Sequence, residues 1–291
     1  MRKKFLLKNY QPYAFVFPAF LVLICLALFP ALYNLFSSLC IEKGGIREFV
    51  GLQNYKELFA DTAFRRDLGT TLIYCFTDAF GSTLLGLTAA LICVAKYPGQ
   101  GAVRVAVILP WVVPYVVVGI VWRWILHPMG GYMPNILEFL HLDPALFSLN
   151  AKDTALSGVL LASIWRGFPF VGMMLMASLQ SVDNVLYEAA EIDGASKWQT
   201  LFRVTIPIIA PTLAMVFILR LIWAANQFDL LFMMTSGGPQ GSTETMAYYI
   251  YKNSFEFFEY ERGAAASIIQ LLLFMLICTP YIARTRKELE D

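Results

Sequence analysis

The sequence predicts an all-α integral membrane protein with six transmembrane helices in one membrane domain. Three observations carry that prediction. The 291 residues are 58% hydrophobic and only 15% charged, whereas an ordinary soluble domain is roughly 45–50% apolar and about 25% charged. Six apolar runs each reach the ~20 residues that a helix needs to cross a bilayer. Basic residues collect near both ends of the chain, as "RKK" and "RTRK", where the positive-inside rule reads cytoplasm.

Taken in order, residues 1–12 read as a cytoplasmic tail and 13–283 as the transmembrane domain. The first run, 13–39, follows the basic start "MRKK". It exceeds the apolar core of about 7–15 residues found in signal peptides, so it reads as a retained span. The remaining runs are 70–95, 103–126, 156–180, 207–234 and 263–283, followed by a cytoplasmic tail at 284–291. With both termini inside, the cytoplasmic connections hold 11 Lys and Arg residues and the opposite ones 8. The short basic ends decide the orientation. The connection at 181–206, between spans four and five, then lies in the cytoplasm.

Several function classes fall away. A net charge of +1 gives no whole-chain case for nucleic acid. The five cysteines form no C-x-x-C pair and read as small apolar packing residues. Two histidines, His127 and His141, are too few for a metal cluster. No Walker-type nucleotide loop occurs.

The polar stretch "YEAAEIDGASKWQTLFRVTIPIIAP", 187–211, stands out between two spans. Asp183 or Asn184 can cap a short helix. Val185, Leu186, Ala189 and Ile192 give that helix an apolar stripe. Ala189 and Ala190 are small enough for another surface to approach closely. Gly194 can stop the helix by turning left-handed, and Ser196 can start a second one. Pro207 and Pro211 punctuate the entry into span five. The expected shape is a helix–turn–helix knob with Glu188, Glu191 and Asp193 near its tip.

The order "EAAEIDGA" (188–195) followed by "TIP" (205–207) resembles the E-A-A motif of ATP-binding-cassette (ABC) importer permeases. Four further segments resemble the carbohydrate branch, which includes maltose and glycerol-3-phosphate importers. They are "FVGLQNYKELF" (49–59), "ILPWVVPYVVVGIVWRWIL" (108–126), "IWRGFPFVGMMLMASLQSV" (164–182) and the segment 234–267. The branch often has a proline before "LYEAA", where this chain has Val182-Asp183-Asn184. The resemblance implies a type I ABC importer permease fold in a bacterial plasma (inner) membrane. It also implies the partners: a second, different permease, two ABC ATPase subunits that hold ATP and Mg, and an external solute-binding protein that delivers sugar. The chain itself would carry no cofactor and no catalytic site. Glu188, Ala189, Ala190, Asp193, Gly194 and Pro207 would couple it to the ATPases.

Charged residues near the bilayer midplane are costly and face protein or water. Arg166 lies mid-span in span four and Arg220 in span five, with Trp223, Asn226, Gln227 and Asp229 close by in "RLIWAANQFD". One reading pairs these groups inside the bundle, for instance Arg220 or Arg166 with Asp229. The other is a wet sugar cavity in which Trp223 offers a stacking face. By resemblance, Ser163, Arg166 and Gly167 in span four, with Gln227 and its neighbours in span five, mark the substrate path. Two central arginines also allow an anionic substrate. "SGGPQG", 236–241, reads as a tight turn. The alternative function is an ion-gradient-driven secondary transporter, which would want paired inverted repeats and buried ion-binding carboxylates. An intramembrane enzyme would need a buried catalytic cluster.

Overall fold

The structure, a computed structural model, describes residues 15–290. The N-terminal tail expected at 1–12 and the first two residues of the first expected span lie outside the described residues. The chain is almost wholly helical, as its composition demands. In hydrocarbon every backbone N–H and C=O must bond within its own segment, and a helix does this.

The first helix is α1 (Phe15–Ser38). A hairpin follows, β1 (Cys40–Lys43) pairing antiparallel with β2 (Ile46–Phe49). Gly44 and Gly45 both have positive φ, which a two-residue hairpin turn demands at its centre. Then come α2 (Gln53–Ala60), α3 (Thr62–Val94), α4 (Gln100–Val112) and α5 (Tyr115–Ile125). Next are α6 (Tyr132–Phe139), α7 (Ala155–Gln180), α8 (Asn184–Ile192) and α9 (Lys197–Ala225). The chain continues with α10 (Asp229–Thr235), α11 (Met246–Tyr251) and α12 (Tyr260–Glu290). Among the described residues, five helices are long and apolar enough to cross a bilayer, or six if a bent pair is counted as one span.

That bent pair corrects the third expected span. The run at 103–126 is not one rod: α4 and α5 meet at 99°. Pro114 has no N–H to continue the ladder, and its ring drives the residue before it out of the helical region. Val113 accordingly sits at φ −72°, ψ 128°. The fifth span also differs from 207–234. Helix α9 begins at Lys197, runs through a π turn at Leu201–Thr205 and ends at Ala225. The second helix of the expected knob is therefore the start of span five. Pro207 and Pro211 lie within α9, Pro207 just beyond the wide turn, which eases the loss of its donor. At the other end, the helix of span six continues to Glu290, so residues 284–290 are helical.

Two compact units emerge. One joins the described residues up to Thr62 with Ile250–Leu272; the other comprises Ala63–Tyr249 and the residues from Leu273 onward. In the first, the Asn34 amide donates to Ser267 Oγ at 2.7 Å, tying α1 to α12. Buried Asn54 donates to the carbonyls of Ser38 and Cys40, at 2.9 and 2.8 Å, and so anchors the hairpin. The second unit has two apolar clusters. One packs Tyr74, Val118, Trp122, Val159, Leu221 and Leu230 between α3, α5, α7, α9 and α10. The other packs Ala90, Val171, Leu175, Val182, Ile209 and Val216 towards the α7–α9 connection.

Candidate functional site

Two polar regions of the second unit hold the residues singled out in the sequence. The first is the α7–α9 connection. Asp183 is the N-cap of α8, its carboxylate accepting the Val185 N–H at 3.0 Å. At the other end Gly194 N–H donates to Glu191 O at 3.0 Å and Ala195 N–H to Ala190 O at 2.9 Å. These paired bonds form a Schellman stop, which needs a left-handed residue. Gly194 supplies it at φ +74°. Ser196 then opens α9 with a full capping box, its hydroxyl and the Gln199 side chain each bonding the other's backbone N–H.

The orientation of α8 follows from what it buries. Tyr187 packs on the Leu175–Ile209 cluster, and Ala190 is buried. Glu188, Ala189, Glu191, Asp193 and Gly194 face outward. So do the apolar residues of the stripe: Val185 is 62% exposed and Ile192 86%. Trp198 and Phe202 stack on each other nearby, also exposed. Of the two alanines expected to leave room for another surface, Ala189 is exposed, but Ala190 is buried and its small side chain serves packing within this chain. Pro207 is exposed on the flank of α9, beyond the π turn. Beneath α8 lies a cleft of about 850 Å³, edged by Lys96, Arg104, Glu191 and Lys197.

The second region crosses the middle of α3, α7 and α9. Arg220 is 1% exposed and pairs through Nη2 with Asp78 on α3. The other Asp78 oxygen accepts the Ser163 hydroxyl at 2.6 Å, and Ser163 in turn accepts the Tyr74 hydroxyl at 2.9 Å. All four are buried, so the arginine's charge is neutralised by a fully engaged carboxylate. Gly167 lets this happen. A Cβ there would come within 2.5 Å of Arg220 Cζ, so any side chain at this position would have to displace the guanidinium.

This overturns the expected partner. Asp229 is not the buried counter-charge; it starts α10 in an exposed position. Nor do Arg220, Trp223 and Gln227 share one environment. Arg220 and Gln227 are buried, Trp223 is 38% exposed, and α9 ends before Gln227. Asn226 is exposed and bonds back to the Ile222 carbonyl at 2.8 Å. Arg166 is half-buried, its Nε donating to Val113 O at 3.3 Å and its guanidinium lying over the Tyr115 ring at 3.8 Å. Trp223 packs on Phe170 with ring centres 4.6 Å apart.

Asp78, Tyr74, Tyr115 and Phe170 were missed in the sequence. For Asp78 a signal existed: a lone carboxylate inside the apolar run 70–95 demands a counter-charge as much as a lone arginine does. The three aromatic residues carried none, because aromatic side chains fill every span of this chain.

The family model described as "Binding-protein-dependent transport system inner membrane component" matches residues 82–284. The sulfoquinovosyl glycerol transport system permease protein of Agrobacterium fabrum is 31% identical over 93% of this chain and 89% of its own length. The trehalose/maltose transport system permease protein of Thermococcus litoralis is 30% identical, over 95% and 94%. Among solved structures, a bacterial ABC transporter that imports the acidic polysaccharide alginate contains a chain of similar fold. It has TM-score 0.83, 23% identity and 98% coverage of both chains.

Proposed function

The chain belongs to the binding-protein-dependent transport system inner membrane component family, and from that premise we propose that it forms half of an ATP-driven sugar import path. It is an ABC importer permease. In the proposed assembly a second permease completes the path, two ATPase subunits hold ATP and Mg, and an external binding protein delivers the sugar. Both termini and α8 face the cytoplasm. Relatives named for sulfoquinovosyl glycerol and for trehalose and maltose support a carbohydrate cargo.

The observation that carries the coupling role is the outward face of α8. Val185 and Ile192 stand exposed beside Glu188 and Ala189 on a helix capped at both ends. Rigid caps and uncovered apolar residues suit a handle gripped by another protein; the packed apolar contact would carry more of the energy than the ion pairs at its rim. In this assignment Glu188 and Asp193 meet basic groups of the ATPase, Ala189 allows close approach, and Gly194 sets the turn. Ala190 and Pro207 act through the seating of α8 and the start of α9.

The test is ATP hydrolysis by the purified complex in lipid, co-expressed with the subunits encoded beside it and supplied with its binding protein. The expected result is stimulation by a sugar. If no ATPase copurifies and sugar still crosses the membrane, the gradient-driven alternative replaces this reading.

A further inference from the structure

We propose that the first compact unit carries a binding site for a linear aliphatic di- or polyamine, in a cleft edged by Glu57 and Glu261. The inference goes beyond the import function and stands apart from it, because it uses neither the bundle interior nor α8.

The cleft encloses about 550 Å³ between the β1–β2 hairpin, α2 and the start of α12. Four carboxylates line it, those of Glu42, Glu57, Glu259 and Glu261, against one basic side chain among the described residues, Arg262. Arg262 is itself shared between Asp61 and Glu259, the latter at 3.5 Å. Glu42 pairs with Arg47 at 3.6 Å. Glu57 and Glu261 form no ion pair among the described residues. Glu57 is exposed and accepts only the Gln53 amide, at 2.9 Å. Glu261 is 9% exposed, yet its Oε1 has no hydrogen-bond partner among the described residues. The positive end of α12 tolerates an acid in its first turn, but it gives this oxygen no donor. Buried polar atoms are normally bonded, so an unbonded one in the lining of a cleft has use for a donor brought by a ligand.

The shape of the cleft selects the kind of cation. Among the described residues no three acidic side chains are placed to hold a metal ion. A volume of about 550 Å³ is also that of a pocket for an organic ligand. Phe258 and Tyr260 line the same cleft, 67% and 50% exposed, with ring centres 6.3 Å apart and edge to face. Exposed ring faces attract ammonium groups, and ionised carboxylates accept strong hydrogen bonds from them. Carboxylates spread around one cleft, instead of converging on one point, match several ammonium groups spaced by methylenes. The methylenes in turn suit the aromatic rings. A bound polyamine would bridge α2, through Glu57, to the start of α12, through Glu261.

The experiment is calorimetric titration of the full-length chain in phosphatidylcholine nanodiscs, whose lipid carries no net charge to compete for cations. The probes are spermidine, 1,4-diaminobutane, 1-aminobutane, magnesium chloride and a lysine-rich peptide. Spermidine and the diamine should bind, and 1-aminobutane should bind roughly tenfold more weakly or worse, the scale of one lost charged hydrogen bond. Glu261→Gln should weaken spermidine by a similar factor. Glu57→Gln should do the same, and because Glu57 is exposed it keeps the test valid if the Glu261 variant fails to fold. Glu138→Gln, an exposed change on α6, should leave binding unaltered. Equal binding in all three variants would show diffuse charge attraction and overturn the site. So would displacement of spermidine by magnesium at equal charge, which means a metal site. Binding of the peptide but of no free amine would assign the cleft to a protein partner and likewise overturn the proposal. None of these outcomes touches the importer reading.

Discussion

The Asp78–Arg220 cluster and helix α8 are both polar islands in an apolar chain, yet they are built in opposite ways. Around Arg220 the charge faces the Asp78 carboxylate and both side chains are buried, although Arg220 Nε has no hydrogen-bond partner among the described residues. On α8 the carboxylates stand in water and the apolar residues are the uncovered ones. A polar group closed on itself inside a bundle holds helices together. Its Coulomb gain is offset by desolvation, so it adds specificity of packing more than net stability. An open polar helix with uncovered Val185 and Ile192 has unfinished contacts, and that is the property a docking element needs. Arg166 stands between the two cases: it is half-buried, with its Nε on the Val113 carbonyl and its guanidinium over the Tyr115 ring.

The largest effect should come from breaking the closed cluster on one side only. Asp78→Ala leaves Arg220 buried without a counter-charge, at a cost of about 3–5 kcal/mol. We expect loss of most folded protein, read by thermal melting and gel filtration in detergent. Asp78→Leu combined with Arg220→Met should restore much of it; failure of that rescue would show that the pair does more than hold three helices together.

The open region should respond in function before stability. Gly194→Val forces a β-branched residue to φ +74°, a strain of roughly 1–3 kcal/mol. Nothing lies within 4 Å of the added Cβ, so backbone strain is the only direct cost. The complex should assemble with lost transport and ATPase activity uncoupled from sugar, while Gly194→Asn, which tolerates a left-handed backbone, should keep part of the coupling. Unchanged transport in the valine variant would remove α8 from the coupling path.

A smaller effect is expected at Ile192. Ile192→Asp should reduce copurification of the ATPase roughly tenfold, the scale of one interface contact. The melting temperature of the isolated permease should hardly move, because surface changes usually stay within about 0.5 kcal/mol. A drop in melting temperature would mean that α8 is seated by Ile192 after all. Smallest is Ser196→Ala, which removes a capping box worth about 1 kcal/mol. It should speed amide exchange at Gln199 with little change in transport.

The α8 region was legible in the sequence nearly residue by residue. Its Asp183 cap, Gly194 stop and Ser196 start depend on neighbours within six positions, and short-range rules govern them. The bundle interior was only half legible. Ser163, Arg166, Gly167 and Arg220 could be named as candidates, but not which groups meet. Asp78 reaches Arg220 across 142 positions, and nothing in either segment specifies that distance. The elbow at Pro114 was written in the sequence as a proline inside an apolar run. Its sharpness was not, because a proline in a span can either kink a helix or end it, according to what packs alongside.

The sequence by itself determined that this is a membrane protein built of apolar helices and where its capped polar helix α8 lies. Those properties follow from hydrophobic length and local backbone preference, and both are sums over adjacent residues. Only the tertiary structure decided that Arg220 pairs with Asp78 while Arg166 rests on Val113 and Tyr115, and that Ala190 faces in while Ala189 faces out. Such choices depend on which helices touch and on how much water each contact leaves, and neighbours in the chain do not encode that.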